Sequence, residues 1–200
     1  MIPKKKILLI TGQIGAGKDS LAQNLQYHYG LNFAIKKAFA DRLKESVRDI
    51  YGIPTNLLWG SQEDKNASTH VRRIDGKGYY TVRELVCVFS DLTKSIDNYC
   101  WVRVIGDFVN ACVSSPNDCV GYWKNYQCFF ISDWRFEYEK DFLIAYCCPH
   151  VEIRTLKLLR TGESSQHNSE IMVNDESMCY DWIIDNNNLS RYETYIQAVN

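Results

Sequence analysis

The stretch Gly12–Ser20, "GQIGAGKDS", sets three glycines, a lysine and an aspartate at the spacing G-x-x-x-x-G-K. Glycines let a backbone wrap closely enough for its N–H groups to converge on one anion. Lys18 adds a mobile ammonium suited to the β- and γ-phosphates of a nucleotide, and a helix opening at Gly17–Lys18 adds its positive end. The chemistry indicated is the binding of a polyphosphate, such as ATP, by Gly12, Gly15, Ala16, Gly17, Lys18 and the residues that follow. The pattern normally continues with Ser or Thr, whose hydroxyl holds magnesium, but Asp19 stands there. Magnesium is a hard cation that takes carboxylate oxygen directly or through water, so Asp19 can serve in the hydroxyl's place. The alternative is an acid favoured only by the helix dipole. Without a metal, the carboxylate would repel a triphosphate. Ser20 completes the phosphate-binding segment. Its hydroxyl lies about 100° further round the helix and does not replace the missing one.

A second group of chemical residues follows the apolar run "FFIS": Asp133 ends it and Arg135 comes two residues later. Lys44, Arg72, Arg73, Arg83, Arg103, Arg135 and Arg160 form a scattered basic set. An enzyme joining two anionic substrates must neutralise both, largely by positioning and electrostatics; the alternative for each arginine is a surface ion pair. No N-K-x-D base-reading motif and no apolar strand ending in Asp-Glu is present, which argues against a GTPase and a water-activating ATPase.

These residues need elements to hold them. "KKKILLITG" reads as a buried strand entering the Gly-rich turn, and "KDSLAQNLQYHYG" as a helix closed by Gly30. A strand over residues 33–39 precedes the helix "DRLKESVRDIYG". Residues 54–80 are polar and weakly periodic, and read as a mobile excursion with one short helix. Thr81 and Glu84 form a capping box opening a helix to about residue 95. "WVRVIGDFVNACV" reads as a helix, "CFFIS" as a buried strand, "EYEKDFLIAY" as a helix and "VEIRTLKLL" as a strand. Residues 161–177 have the composition of a lid, and "DWIID" and "SRYETYIQAV" close the chain as strand and helix. Alternating strands and helices predict an α/β fold, a parallel sheet wrapped on both faces, with ligands beyond the carboxyl ends of the strands. Gly12–Asp19, Asp133 and Arg160 belong at that edge.

Composition bounds the rest. Two hundred residues suit one domain with a substantial core. A net charge of −1 lacks the basic excess of a nucleic-acid binder, so no stable nucleic-acid partner is expected. The opening apolar run "ILLI" is too short for a signal core or a membrane span, which predicts a cytoplasmic protein without a membrane partner. Eight cysteines occur without C-x-x-C spacing, several inside apolar runs. They read as reduced, mostly buried thiols rather than a zinc site.

Taken in order, several segments resemble the deoxynucleoside monophosphate kinases of large DNA bacteriophages and other large DNA viruses. They are "GQIGAGKDS", "FADRLK", "LLWGSQEDKN", "TVREL" leading to "YCWV", "ISDWRFEYE", "LLR", "HNSE" and "DWIIDNNNL". The resemblance spans nearly the whole chain and implies a three-layer P-loop kinase fold with a mobile lid at about 160–180. It implies an acceptor-binding region at about 54–125. It further implies transfer of the ATP γ-phosphate, with magnesium, to a deoxynucleoside 5′-monophosphate. On that carry-over Lys18 and the loop hold the ATP phosphates, and Asp19 and Asp133 attend the magnesium. Arg135 faces the acceptor or transferring phosphate, Arg160 lies on the lid side near ATP, and Asn186 lies near the adenine. Asp41, Lys44, Arg72, Arg73, Arg83 and Trp101 fall in acceptor-binding positions. Family precedent also allows a homodimer. The chain departs from the pattern after "REL", where "VCVFSD" replaces a Gln and a Gly-Thr pair, and at Ser165, which replaces an acid. His167 is a lid contact or an exposed loop residue, and Glu170 pairs with a lid arginine or is solvated. Two other functions fit the same motifs: a phosphomevalonate kinase-like enzyme and a non-catalytic ATP sensor. Trp101, Tyr79 and Tyr80 favour a flat base as acceptor over an isoprenoid acid.

Overall fold

Ile7, Leu9 and Ile10 are fully buried, as expected of a central strand covered on both faces. In a computed structural model, which describes residues 4–114, 126–147, 149, 151–160 and 178–199, that strand is β1 (Lys5–Gly12). It lies between β5 (Cys128–Ile131) and β6 (Val151–Leu159), both parallel to it, with Leu9 opposite Ile131 on one side and Thr155 on the other. β2 (Ala34–Lys37) and β7 (Trp182–Asp185) form the edges, giving a five-stranded sheet in the order β2-β5-β1-β6-β7, every pairing parallel.

The period of two along each strand sorts side chains between two layers. On one face Leu8, Ile10, Phe130, Leu156, Leu158 and Ile184 pack against α1 (Lys18–Tyr29) through Leu21, Ala22 and Leu25, and against α8 (Arg191–Val199). On the other, the Phe108 ring of α6 (Cys100–Ser114) meets Phe129 edge-on at 5.9 Å. α7 (Glu137–Tyr146) joins α6 there: Tyr146 donates its hydroxyl to Asp107 at 2.6 Å and accepts from the Asn110 amide at its carbonyl at 3.1 Å. Gly106 permits this approach, since a Cβ would stand 2.6 Å from the Tyr146 ring. The expected α/β class and parallel sheet with helices on both faces are thus present.

The chain divides into two compact units, Met1–Ala38 with Ile105–Asn200 and, inserted within it, Phe39–Val104. The inserted unit has its own core, where Leu43 and Val47 of α2 (Phe39–Tyr51) meet Ile53, Leu58, Tyr80, and Val82 and Leu85 of α5 (Val82–Ile96). Its bounds differ from the acceptor-binding region at about 54–125 that the resemblance implies, because α2 turns its apolar side into this core. Phe39 starts α2 rather than ending β2. Residues 54–80 are also more ordered in pattern than their polarity predicts. They form α3 (Thr55–Trp59), α4 (Gln62–Asn66) and an antiparallel hairpin of β3 (Ser68–Arg72) and β4 (Tyr79–Thr81). The alternation in β3 is hidden because its exposed positions carry Ser68, His70 and Arg72 while Thr69 and Val71 turn inward.

The capping box of α5 is present: the Thr81 hydroxyl accepts from the Glu84 N–H at 3.2 Å, and the Glu84 carboxylate accepts from the Thr81 N–H at 2.9 Å. Thr81→Ala should cost about 1 kcal/mol in urea denaturation. The backbone hydrogen bond from Thr81, and then Arg73, hold the Glu84 carboxyl below its ordinary value of 4.5. A depressed folded-state value means the contribution is complete above that ordinary value and is lost as the pH falls through the lower, folded one. The stability gap between wild type and Glu84→Gln should therefore shrink as the pH is taken below 4.5; a gap independent of pH would discount the carboxylate.

Six cysteines fall among the described residues and are free; Cys112 and Cys147 are buried, Cys87, Cys100 and Cys128 half-buried, and Cys179 exposed, a more open set than expected. Among the described residues no helix is long and apolar enough to cross a membrane.

Candidate functional site

At the carboxyl end of β1 the chain turns through Gly12, Gly15 and Gly17, all with positive φ, before α1 begins. Gly12 is required by space: a Cβ there would sit 2.6 Å from the Leu158 carbonyl oxygen, because β1 and β6 are in register at this point. Gly17 is required by conformation, standing at the N-cap of α1 with φ 89°, and no side chain caps the helix. An anion at this end would meet the uncapped turn and the positive end of the dipole.

A cradle of N–H groups works only if its carbonyls are turned away and satisfied elsewhere. Four of them are. The Lys18 ammonium, 9% exposed, donates to the carbonyls of Gly12 at 2.6 Å and Gln13 at 2.8 Å. Arg160, just past β6, donates to Gly15 at 3.3 Å. The Asn186 amide, just past β7 and buried, donates to Ala16 at 2.6 Å. The structure thus brings Lys18, Arg160 and Asn186 to one loop from three strand ends. Asn186, carried over as a neighbour of adenine, has its amide nitrogen beneath the loop, a supporting position.

Asp19 in the first turn of α1 is exposed, and its Oδ1 accepts the Ser132 hydroxyl at 2.8 Å and pairs with the Lys36 ammonium at 2.7 Å. A hydroxyl is therefore present beside the loop after all, supplied by the end of β5 rather than by the loop. Ser20, half-exposed, is on the same turn. Asp133 follows Ser132 and is half-buried; Trp134 beyond it is fully buried, its indole N–H bound to the Phe136 carbonyl at 2.7 Å. Glu139, 6% exposed, accepts from the backbone N–H groups of Arg135 at 3.1 Å and Phe136 at 3.2 Å. The acid of D-x-R-F-x-x-E is in this way a backbone clamp that fixes where Arg135 leaves the strand.

Among the described residues no cluster of three or more His, Cys, Asp and Glu side chains forms. A magnesium ion at Asp19 would find a carboxylate and the Ser132 hydroxyl, hard oxygen donors that fit it, with phosphate and water completing the shell.

Of the proposed acceptor residues, all but Arg135 belong to the inserted unit. Lys44 lies over the Trp59 ring at 5.6 Å, and Trp59 donates to Asp41 at 3.4 Å. Arg73 pairs with Glu84 at 2.8 Å, and Arg103 with Asp97 at 2.9 Å; both have the surface ion pairs that stood as the alternative. Arg83 contacts Gln62 and Asn66, while Arg72 is exposed. Trp101 is half-buried and packs against the unit's core, 6.5 Å from the Phe89 ring, its indole nitrogen buried with no partner among the described residues.

Lys36 and Ser132 are absent from the residues picked out by motif. The pairing of β2 with β5 places Lys36, which opposes Phe130 and so projects to the α1 side. Residues 161–177, with Ser165, His167 and Glu170, lie outside the described residues. No protein-family model matches the chain, and no curated protein matches it.

Proposed function

We propose that the protein is a P-loop kinase that transfers the γ-phosphate of ATP to a deoxynucleoside 5′-monophosphate. The observation that carries the reading is the glycine loop after β1, its carbonyls tied back by Lys18, Arg160 and Asn186, beside the strand end that bears Asp133 and the clamped Arg135. A parallel sheet with helices on both faces is the frame such a fold requires.

In this reading the loop N–H groups and the start of α1 bind the phosphates, and Lys18 exchanges its carbonyl partners for phosphate oxygens. Magnesium, when bound with the nucleotide, neutralises phosphate charge, and Asp19 with Ser132 would hold it. Arg135 brings its guanidinium to the acceptor phosphate and offsets the repulsion between two anions. An acceptor phosphate oxygen attacks the γ-phosphorus while the bond to the β–γ bridging oxygen breaks, giving the diphosphate and ADP. The acceptor oxygen is already deprotonated, so no base is needed and positioning does most of the work. The protein acts without nucleic acid or membrane, in the cytoplasm.

Acceptor choice keeps a second reading in play. Of the aromatics that favour a flat base, Tyr80 is 8% exposed and Trp101 is half-buried against the unit's core, leaving Tyr79, at 57%, as the open one. A phosphorylated acceptor without a base, such as phosphomevalonate, therefore belongs in the same assay. ADP release should occur with at least one of the four deoxynucleoside monophosphates and not with phosphomevalonate. Turnover of phosphomevalonate alone would select the second enzyme. ATP binding without any acceptor-dependent ADP would select a sensor.

A further inference from the structure

A carboxylate at the opening of α1 presents a difficulty to any incoming polyphosphate. Among the described residues, the side chains bonded to the loop carbonyls are cationic or neutral: Lys18, Arg160 and Asn186. Asp19 has the opposite sign, and like charges a few ångströms apart at a protein surface oppose binding strongly unless something neutralises them.

The strand register supplies the neutralising group. Lys36 lies opposite Phe130, and Phe130 belongs to the core on the α1 face. Lys37, one residue on, projects to the other face, with its ammonium 5.1 Å from the centre of the Phe108 ring. Adjacent lysines are in this way divided between two layers, and Lys36 is the one of the two that reaches Asp19, at 2.7 Å. The Ser132 N–H donates to the Lys37 carbonyl at 3.1 Å, locking the ends of β2 and β5 together. The Ser132 hydroxyl then donates to the same Asp19 oxygen that faces Lys36. The Lys36 side chain is 26% exposed and that of Asp19 75%, so the pair is anchored on the lysine side and open to solvent on the carboxylate side.

We infer that Lys36 is the resident counter-ion of Asp19, a positioning residue that neutralises the carboxylate until a metal–nucleotide complex takes its place. The inference rests on the reading of the loop as a nucleotide site. Lys36 makes the loop tolerant of nucleotide in the absence of metal, and the metal takes over that neutralisation when present.

The test is ATP affinity, measured by calorimetry on the full chain in EDTA and again in excess magnesium chloride. Lys36→Gln should weaken metal-free binding about five- to tenfold and change binding with magnesium by no more than about twofold, as expected of a solvent-screened pair. Lys36→Arg should keep metal-free binding. Asp19→Asn should strengthen it, and should restore it in the Lys36→Gln background. Equal losses with and without metal would overturn the inference, since Lys36 would then be touching phosphate directly; unchanged metal-free affinity would overturn it as well. Should Lys36→Gln not fold, Asp19→Asn decides alone, because metal-free affinity that stays level or falls removes the need for a counter-ion. Wild type that binds no ATP under either condition would sink the kinase reading, and this inference with it, a result distinct from the others.

Discussion

Gly12→Ala is expected to destabilise the protein by about 3 kcal/mol and to abolish ATP binding. Two costs combine. Gly12 has φ +148°, where a side chain is strained, and the added Cβ would meet the Leu158 carbonyl oxygen at 2.6 Å and the Ala16 Cβ at 3.2 Å. The oxygen is main chain in a neighbouring strand held by the sheet, so it cannot rotate away as a flexible side chain would. Relief requires β1 and β6 to part at the point where the loop leaves. Gly15→Ala is the internal control, for it shares a positive φ, +79°, yet its Cβ would meet nothing within 4 Å. That variant should lose about 1 kcal/mol. Thermal or urea denaturation of the two variants checks the contrast, and equal losses would show that conformation alone, not the β1–β6 approach, governs Gly12.

Lys18→Ala should lower ADP production about a thousandfold, the scale at which removing a preorganised charge from a transferring group is felt. Its effect on stability should be much smaller. The ammonium donates two hydrogen bonds to loop carbonyls, and each is worth roughly 1 kcal/mol net, offset by relief from holding a charge at 9% exposure. A variant that folds with nearly wild-type cooperativity and has lost turnover separates chemistry from support. Lys18→Arg should not rescue, because a planar fork cannot replace a point charge reaching between carbonyls and phosphates. If Lys18→Ala released ADP at the wild-type rate, that activity would not belong to the loop.

The central sheet and the glycine loop were legible because their signals are local. "ILLI" and "CFFI" are continuous apolar runs, and the spacing of glycines around Lys18 needs no distant partner to be recognised. What stayed hidden depends on pairing. Lys36 looks like one of several polar strand residues until the register with β5 shows which face it takes. Ser132 reads as the residue before a motif aspartate, and only its 2.8 Å bond to Asp19 gives it a role. The bounds of the inserted unit were hidden for a similar reason: the apolar side of α2 looks the same whichever core it enters. Asn186 shows the limit of resemblance, which supplied a place near the site but not the carbonyl its amide holds.

The carbonyl bonds of Lys18 bear on how tightly a nucleotide would be held. In the proposed kinase, an ammonium able to return to the carbonyls of Gly12 and Gln13 would keep hydrogen-bond partners when ADP departs. Affinity reflects the difference between the phosphate contacts such a cation would gain and the carbonyl contacts it would give up. This lysine would therefore hold its product less tightly than a cation with no other partner would, which suits a cycle that ends in release.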